Sequence, residues 1–292
     1  MIFGFDKRIE WALLLCAALF LLPGAVSAAD EDPEPPAVYN LFFLHHSTGR
    51  NLVEQGDVRD LLAAKSAADG VVYEFWDHDY NRYPLRLPDG SIGIWNYDIP
   101  NDNTDPDGLY YLWTSASTDA AATRDSILTN HRVIAFKSCY PASNIASDSD
   151  LAQRKQWYTE MRDVFDTHPD HIFLVMSQPP LHPEATNLAN ADRARAFADW
   201  LGSDEYLQDH PNVVCFDFFA SLAHPDDGSA DRNTLRSEYR REYVDSHPNT
   251  TANIAVAPLF VDALVAAARL LDPSPPPPEG TSWGTVKGLF SK

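Results

Sequence analysis

Residues Tyr39–Leu44 read Tyr-Asn-Leu-Phe-Phe-Leu, an apolar run that ends in His45-His46-Ser47-Thr48-Gly49-Arg50-Asn51. A short, nearly unbroken run of this kind is what a strand buried on both faces requires. Four more short apolar runs follow, at 71–76, 133–136, 172–176 and 213–216. Helical spacing fills the gaps: 51–66, where Leu52, Val53, Val58, Leu61 and Leu62 recur, then 117–129, 150–166 and 189–201. Strands alternating with helices in this way define a parallel sheet covered on both faces. A polar, charged helix near 232–243 and a last helix over 251–271, rich in Ala, Leu and Val, complete the expected order. The fold class is therefore α/β, three layers, with a central, mostly parallel sheet of five strands. In such sheets ligands bind beyond the C-terminal strand ends, so chemistry is expected just after each strand.

The chain has 292 residues, 45% hydrophobic and 22% charged, which is compatible with one large packed domain. Its formal net charge of −20 repels phosphate backbones and anionic lipid heads, so nucleic acid is not an expected partner. No repeat of solenoid or propeller length is present. Lys7 and Arg8 precede an apolar run from Trp11 to Leu22, and Val26-Ser27-Ala28 has the small-residue form of a signal-peptidase site. That run is too short to span a bilayer, so residues 1–28 read as a signal peptide, leaving no stable membrane span after cleavage. The mature protein is then secreted, periplasmic or on the cell surface. Residues 29–37 form an acidic, Pro-rich leader, 38–272 the folded domain, and 273–292 a Pro-rich linker with the tail Ser-Trp-Gly-Thr-Val-Lys-Gly-Leu-Phe. Export leaves Cys139 and Cys215, which an oxidising compartment tends to join. They fall on two strands with a third between them, which argues against a disulfide.

Ser47 stands where a buried strand turns into a helix. Its hydroxyl is exposed there and its amide lies near a helix N-terminus, and both suit a nucleophile whose intermediate carries an oxyanion. Taken alone, a serine in this place is a helix cap. The partner comes from the other end of the chain, in Asp245-Ser246-His247-Pro248-Asn249, just before the last helix. A histidine beside an acid can take the serine proton while the carboxylate holds its tautomer. His-Pro recurs at His168, His182, His210, His224 and His247, and Asp209-His210-Pro211-Asn212 repeats the whole pattern. Position separates them. His168 and His210 precede strands and read as turn residues. His182 and His224 follow strands and read as rim residues, and His247 opens the final helix.

The serine directly after strand one (FFLHHSTG) and the Asp-Ser-His-Pro-Asn segment before the last helix, in that order, resemble the SGNH/GDSL hydrolases over roughly residues 39–271. The resemblance implies a flavodoxin-like fold and an esterase acting on acyl (O-acetyl included) esters. It implies Ser47 as nucleophile, His247 as base, Asp245 as its acid, and no cofactor. It also implies an oxyanion hole built from the serine amide, a glycine amide after strand two and an asparagine side chain after strand three. Asn144 is the nearest asparagine and Ser138 a rival donor. Gly90 and Gly93 are distant candidates, and Gly49 and His46 flank the serine among the substrate-binding residues. The chain departs from the family in two places: His45-His46 replace Gly-Asp before the serine, and the acid precedes histidine by two residues, with Val244 at the family's usual third place.

Other chemistry competes. His45, His46, Asp77 and Asp79 follow adjacent strands and are suitable ligands for a divalent metal in a metal-dependent hydrolase. Asn103-x-Asp105-x-Asp107-Gly108 opens like a calcium loop, but Pro106 and the Thr114 in place of a glutamate favour a solvated acidic turn. Trp76, at the end of the second run, and Tyr80, Tyr83, Trp95, Tyr97, Tyr110, Tyr111 and Trp113 crowd the long loop region, and such rings stack on sugars as well as fill cores. A small-molecule or glycan acyl ester is the expected partner. A non-catalytic glycan-binding surface protein on a decayed hydrolase fold is the alternative.

Overall fold

A computed structural model describes residues 37–94 and 96–271, all within one compact unit. The signal-peptide, leader and C-terminal tail readings, and Trp95, lie outside the described residues. Five strands form one sheet: β1 (Val38–Leu44), β2 (Val72–His78), β3 (Val133–Phe136), β4 (Ile172–Met176) and β5 (Val213–Phe216). All neighbours are parallel, in the order β2-β1-β3-β4-β5. This is the flavodoxin-like doubly wound order, whose switch point lies between β1 and β3. The register pairs Phe43 with Asp77 on one side and with Ala135 on the other.

Side chains alternate across the sheet, as strand geometry demands. Leu41 and Phe43 enter one apolar layer with Val133, Ala135, Leu174 and Phe216. Phe42 and Leu44 enter the other with Ile134, Phe136, Phe173 and Cys215. The first layer is covered by α1 (Ser47–Gln55), α2 (Val58–Asp69) and α9 (Thr250–Ala268). The second is covered by α3 (Pro106–Thr114), α4 (Thr118–Asn130), α5 (Asp148–Phe165), α6 (Leu188–Leu201) and α7 (Asp204–Leu207). Alpha8 (Phe218–Leu222) contributes to both. Cys139 and Cys215 are free and buried.

Three expected elements need correction. The single helix expected over 51–66 is two, α1 and α2, and α1 starts four residues earlier, at Ser47 itself. The break falls at Gly56-Asp57, where Asp57 is left-handed with φ 53°. Helical spacing continued across the break because both pieces bury their apolar positions in the same layer. The polar helix expected near 232–243 is absent, and only a single 3₁₀ turn, Ser237–Tyr239, forms there. Its arginines hold main-chain carbonyls instead: Arg236 Nε donates to Ala223 O at 2.8 Å, and Arg240 Nε to Leu235 O at 2.8 Å. Within 78–115, the acidic turn becomes the cap and first turn of α3, with Pro106 at its start and Leu109, Leu112 and Trp113 buried.

The close approach of α1 to α9 depends on Gly56. A Cβ there would lie 2.4 Å from Ala257 Cβ and 2.8 Å from Asn253 O. Gly56→Val is expected to lower stability by about 1–3 kcal/mol through overpacking, read as a reduced denaturation midpoint at unchanged slope.

Candidate active site

The site begins with the abrupt end of β1. The His45 amide still donates to His78 O at 2.9 Å, and His46 is extended at φ −136°. The helix then starts at Ser47, and no side chain caps it. The first backbone bond of α1 runs from the Arg50 amide to His46 O at 2.9 Å. The amides of Ser47, Thr48 and Gly49 are thus the open donors of a helix N-terminus. Gly49 is a packing residue: a Cβ there would stand 2.4 Å from His45 Cβ.

His247 arrives from two hundred residues away. Its Nε2 stands 2.8 Å from Ser47 Oγ. Its Nδ1 stands 2.6 Å from Asp245 Oδ1, and the same oxygen accepts the His247 backbone N–H at 2.9 Å. That double acceptance explains how a carboxylate only two residues away reaches Nδ1, the ring nitrogen nearer the main chain: the chain curls back over its own amide. Burial opposes ionisation of Asp245, but the His247 amide and ring, helped by Arg241, hold its carboxyl below the ordinary range. Asn249 caps α9, its side chain accepting from Ala252 N at 3.0 Å. Asn253 Nδ2 then ties α9 to α1 through Gln55 Oε1 at 2.8 Å. The Tyr140 ring packs edge-on against His247, centroids 4.9 Å apart. Ser47, His247 and Asp245 are all partly exposed.

Behind the serine lies a buried ionic layer. Asp77 is fully buried and meets His45 Nε2 at 2.7 Å, Arg86 at 2.6 Å and Arg59. Burial opposes the charge, yet His45 and the two guanidinium groups hold the Asp77 carboxyl far below its usual range. Asp79 pairs with Arg50. These contacts engage Asp77 and Asp79 otherwise than as a metal site would, and among the described residues no three His, Cys, Asp or Glu side chains converge as ligands. Asp77 and Asp79 are saturated by arginines, an arrangement that holds the ends of β1 and β2 together.

Sequence reasoning missed four neighbours. Lys137 is fully buried after β3, donates to Thr48 Oγ1 and, at 3.2 Å, to Ser138 O, and burial pushes it down to about 8. Cys139 Sγ stands 3.9 Å from Ser47 Oγ. Asn103 is buried beside the His46 ring. Neither end of its carboxamide, and neither ring nitrogen of His46, has an aligned hydrogen-bond partner among the described residues. Burial first, and then the Lys137 charge, keeps His46 well below its ordinary value. Tyr140 is the fourth. Lys137, Cys139 and Tyr140 had one signal in the sequence, their place just after β3, and Asn103, 25 residues beyond the end of β2, had none.

The remaining candidates fall elsewhere. Asn144 is exposed, and its Oδ1 accepts from Asn190 Nδ2 at 2.7 Å, an engagement with α6. Ser138 is fully buried next to the Tyr158 hydroxyl of α5. The Gly90 and Gly93 amides are taken by Leu87 O and Leu85 O in a local turn. The decoy His210 pairs with Asp166 at 2.7 Å, at the strand edge away from the serine. His182 donates its amide to Ser246 Oγ at 2.9 Å, beside the base, whereas His224 bonds within the 224–240 segment. The aromatics divide between core and surface. Trp113 and Tyr97 are buried, while Tyr80 and Tyr83 line a groove of about 970 Å³ with Arg82, Asp98, Asn101 and Asp119. Tyr80 also lies against the buried His46, ring centroids 5.4 Å apart, while Ser47 and His247 do not line the groove.

No protein-family model and no curated protein matches the sequence. Among solved structures, the chain is similar to a Bacteroides fragilis NCTC 9343 protein provisionally described as an acylhydrolase. The identity is 10% and the TM-score 0.41, over 82% of this chain and 90% of that one. It is also similar to a Streptococcus pneumonia protein provisionally described as a platelet activating factor, at 12% identity and TM-score 0.44, over 78% and 85% of the two chains. Functional inference for this protein therefore rests on its own side chains.

Removing the Asp77 charge should unfasten the layer under the serine. Asp77→Asn takes the carboxylate from the half-buried Arg59 and leaves Arg86 only its longer contacts to Glu54 and Asp79, and is expected to cost about 1–3 kcal/mol in denaturant unfolding. Because the folded pKa of Asp77 is depressed, its contribution is complete above the unfolded carboxylate value. It is lost as pH falls from about 4 toward the lower folded value, so acid should destabilise the wild type more than the variant there.

Proposed function

We propose that the protein is a secreted serine esterase of the SGNH/GDSL type that hydrolyses acyl esters. The observation that carries this reading is the unbroken chain Ser47 Oγ–His247 Nε2, 2.8 Å, and His247 Nδ1–Asp245 Oδ1, 2.6 Å, beyond the C-terminal strand ends. Ser47 Oγ attacks the ester carbonyl carbon while its proton passes to His247 Nε2. Asp245 accepts from Nδ1–H, which fixes the tautomer and stabilises the imidazolium. The carbonyl oxygen becomes an oxyanion, for which the open amides at the start of α1 are the nearest donors. The ester C–O bond breaks, and the leaving alkoxide takes the proton from His247. Water then enters, gives its proton to His247 and its oxygen to the acyl carbon, and Ser47 regains its hydrogen as the acid departs.

The groove beside His46, with its paired tyrosines and its carboxylate, amide and guanidinium rim, supports an O-acylated carbohydrate as the ester. The leader residues 1–28 support export, and the N-terminus of protein recovered outside the cytoplasm is expected near Ala29. An N-terminus at Met1 would remove that part of the reading.

Purified protein should hydrolyse short p-nitrophenyl esters and be labelled at Ser47 by a fluorophosphonate. Ser47→Ala should lose both without loss of secondary structure. Asp245→Asn should lower kcat by about 10⁴ and slow labelling of Ser47 in parallel. Protein that binds saccharide yet neither labels nor turns over would instead be the non-catalytic binding module.

A further inference from the structure

Lys137 is the only lysine or arginine buried among the described residues. Lysines that deep are almost always paired with an anion. Lys137 is not. Its ammonium donates to Thr48 Oγ1 and, at 3.2 Å, to Ser138 O, and lies 6.0 Å from the centre of the Phe218 ring. The carboxylate whose charge reaches it is Asp79, which is already paired with Arg50 and stands 3.7 Å from Arg86. The other titratable groups facing it are His46 and the Cys139 thiol.

Its position gives the charge a direction. The Lys137 amide donates to Leu44 O at 3.3 Å, so the residue carries the β1–β3 ladder one step into the switch-point crevice. Its side chain then runs to Thr48, the residue after the nucleophile. Two residues on, Cys139 Sγ stands 3.9 Å from Ser47 Oγ. The ammonium is thus fixed beneath the first turn of α1, where solvent and salt screen it little. An apolar side chain of the same length would fill this space without the desolvation cost, so stability alone does not account for a lysine here. The hydrolytic cycle, by contrast, forms a negative charge at the start of α1.

We propose, building on the esterase reading, that Lys137 is a positioning residue whose unpaired charge, held under α1 through Thr48, lowers the energy of the anion formed at Ser47 without touching the substrate. It acts through the first turn of the helix, whose open amides it polarises toward that anion. Thr48 is the link, since its hydroxyl accepts the ammonium and its own amide is one of those donors.

The test follows p-nitrophenyl ester turnover from about pH 6 to about pH 10 in wild type and Lys137→Met, with thermal melting and inhibition by phenylboronic acid, which Ser47 converts to a tetrahedral anion. Lys137 is charged below about 8 and neutral above it, so wild-type kcat should fall as pH rises through that value. A wild-type kcat that stays level over that range overturns the inference with no variant needed. Lys137→Met should lower kcat at neutral pH by about 10–100-fold, with KM changed by less than about threefold. Its residual activity should lack the alkaline fall, which separates Lys137 from the Cys139 thiol as the source. Phenylboronic acid should bind more weakly by about the factor lost in kcat. Because a buried charge is removed, the variant should melt no lower than wild type. A Lys137→Met variant that keeps kcat within about threefold, or that retains the alkaline fall, overturns this inference and leaves the esterase reading standing. One that melts several degrees lower with kcat intact marks a structural pin between β3 and α1 and overturns it equally. A wild type that neither turns over esters nor is labelled by a fluorophosphonate removes the esterase reading, and this inference with it.

Discussion

The hydrogen bond between His247 and Ser47 joins residues two hundred positions apart, and much of the fold can be understood as what makes that contact possible. Ser47 is placed by the end of β1, beside the switch point of the sheet. His247 is placed by the start of α9, which has no strand to anchor it. It is held by packing on α1, where Gly56 admits Ala257, and by the Gln55–Asn253 bond one turn away. The same helix pair that seals one face of the sheet therefore sets the distance between hydroxyl and imidazole. Stability and site geometry share one interface, so small changes in its packing act on both.

The sheet was legible in the sequence because parallel strands buried on both faces must be apolar along their whole length. Val133–Phe136, Ile172–Met176 and Val213–Phe216 stand out for that reason, and their limits agree with the structure residue for residue. Ser47, Asp245 and His247 were legible as a set because the strand-end rule ranks five otherwise equivalent His-Pro pairs by position. Helix limits near the site were not. Alpha1 begins at the serine with no capping side chain, so nothing in the local sequence marks its first turn. The 232–243 stretch carries helix-compatible residues, but its arginines find carbonyl partners in neighbouring segments, which no local propensity records.

Donors were the least legible part. Asn144 was the natural choice by distance along the chain from β3, yet its side chain turns to α6.

Charge placement completes the account. The chain as a whole is strongly acidic, yet the carboxylates behind the serine are neutralised: Asp77 by His45, Arg59 and Arg86, and Asp79 by Arg50. Lys137 is different. It is fully buried, bonded to a hydroxyl and a carbonyl, and pairs with no carboxylate among the described residues. Burial of a cation in that position is costly and lowers its proton affinity, an effect that Asp79 offsets only in part. Held through Thr48 beneath the first turn of α1, it adds to the positive end of the helix. A negative charge forming at Ser47 would relieve that cost. On the esterase reading, the favourable interaction is then largest when the oxyanion exists and small when a neutral ester is bound, which is the condition for a charge to accelerate a reaction rather than tighten substrate binding.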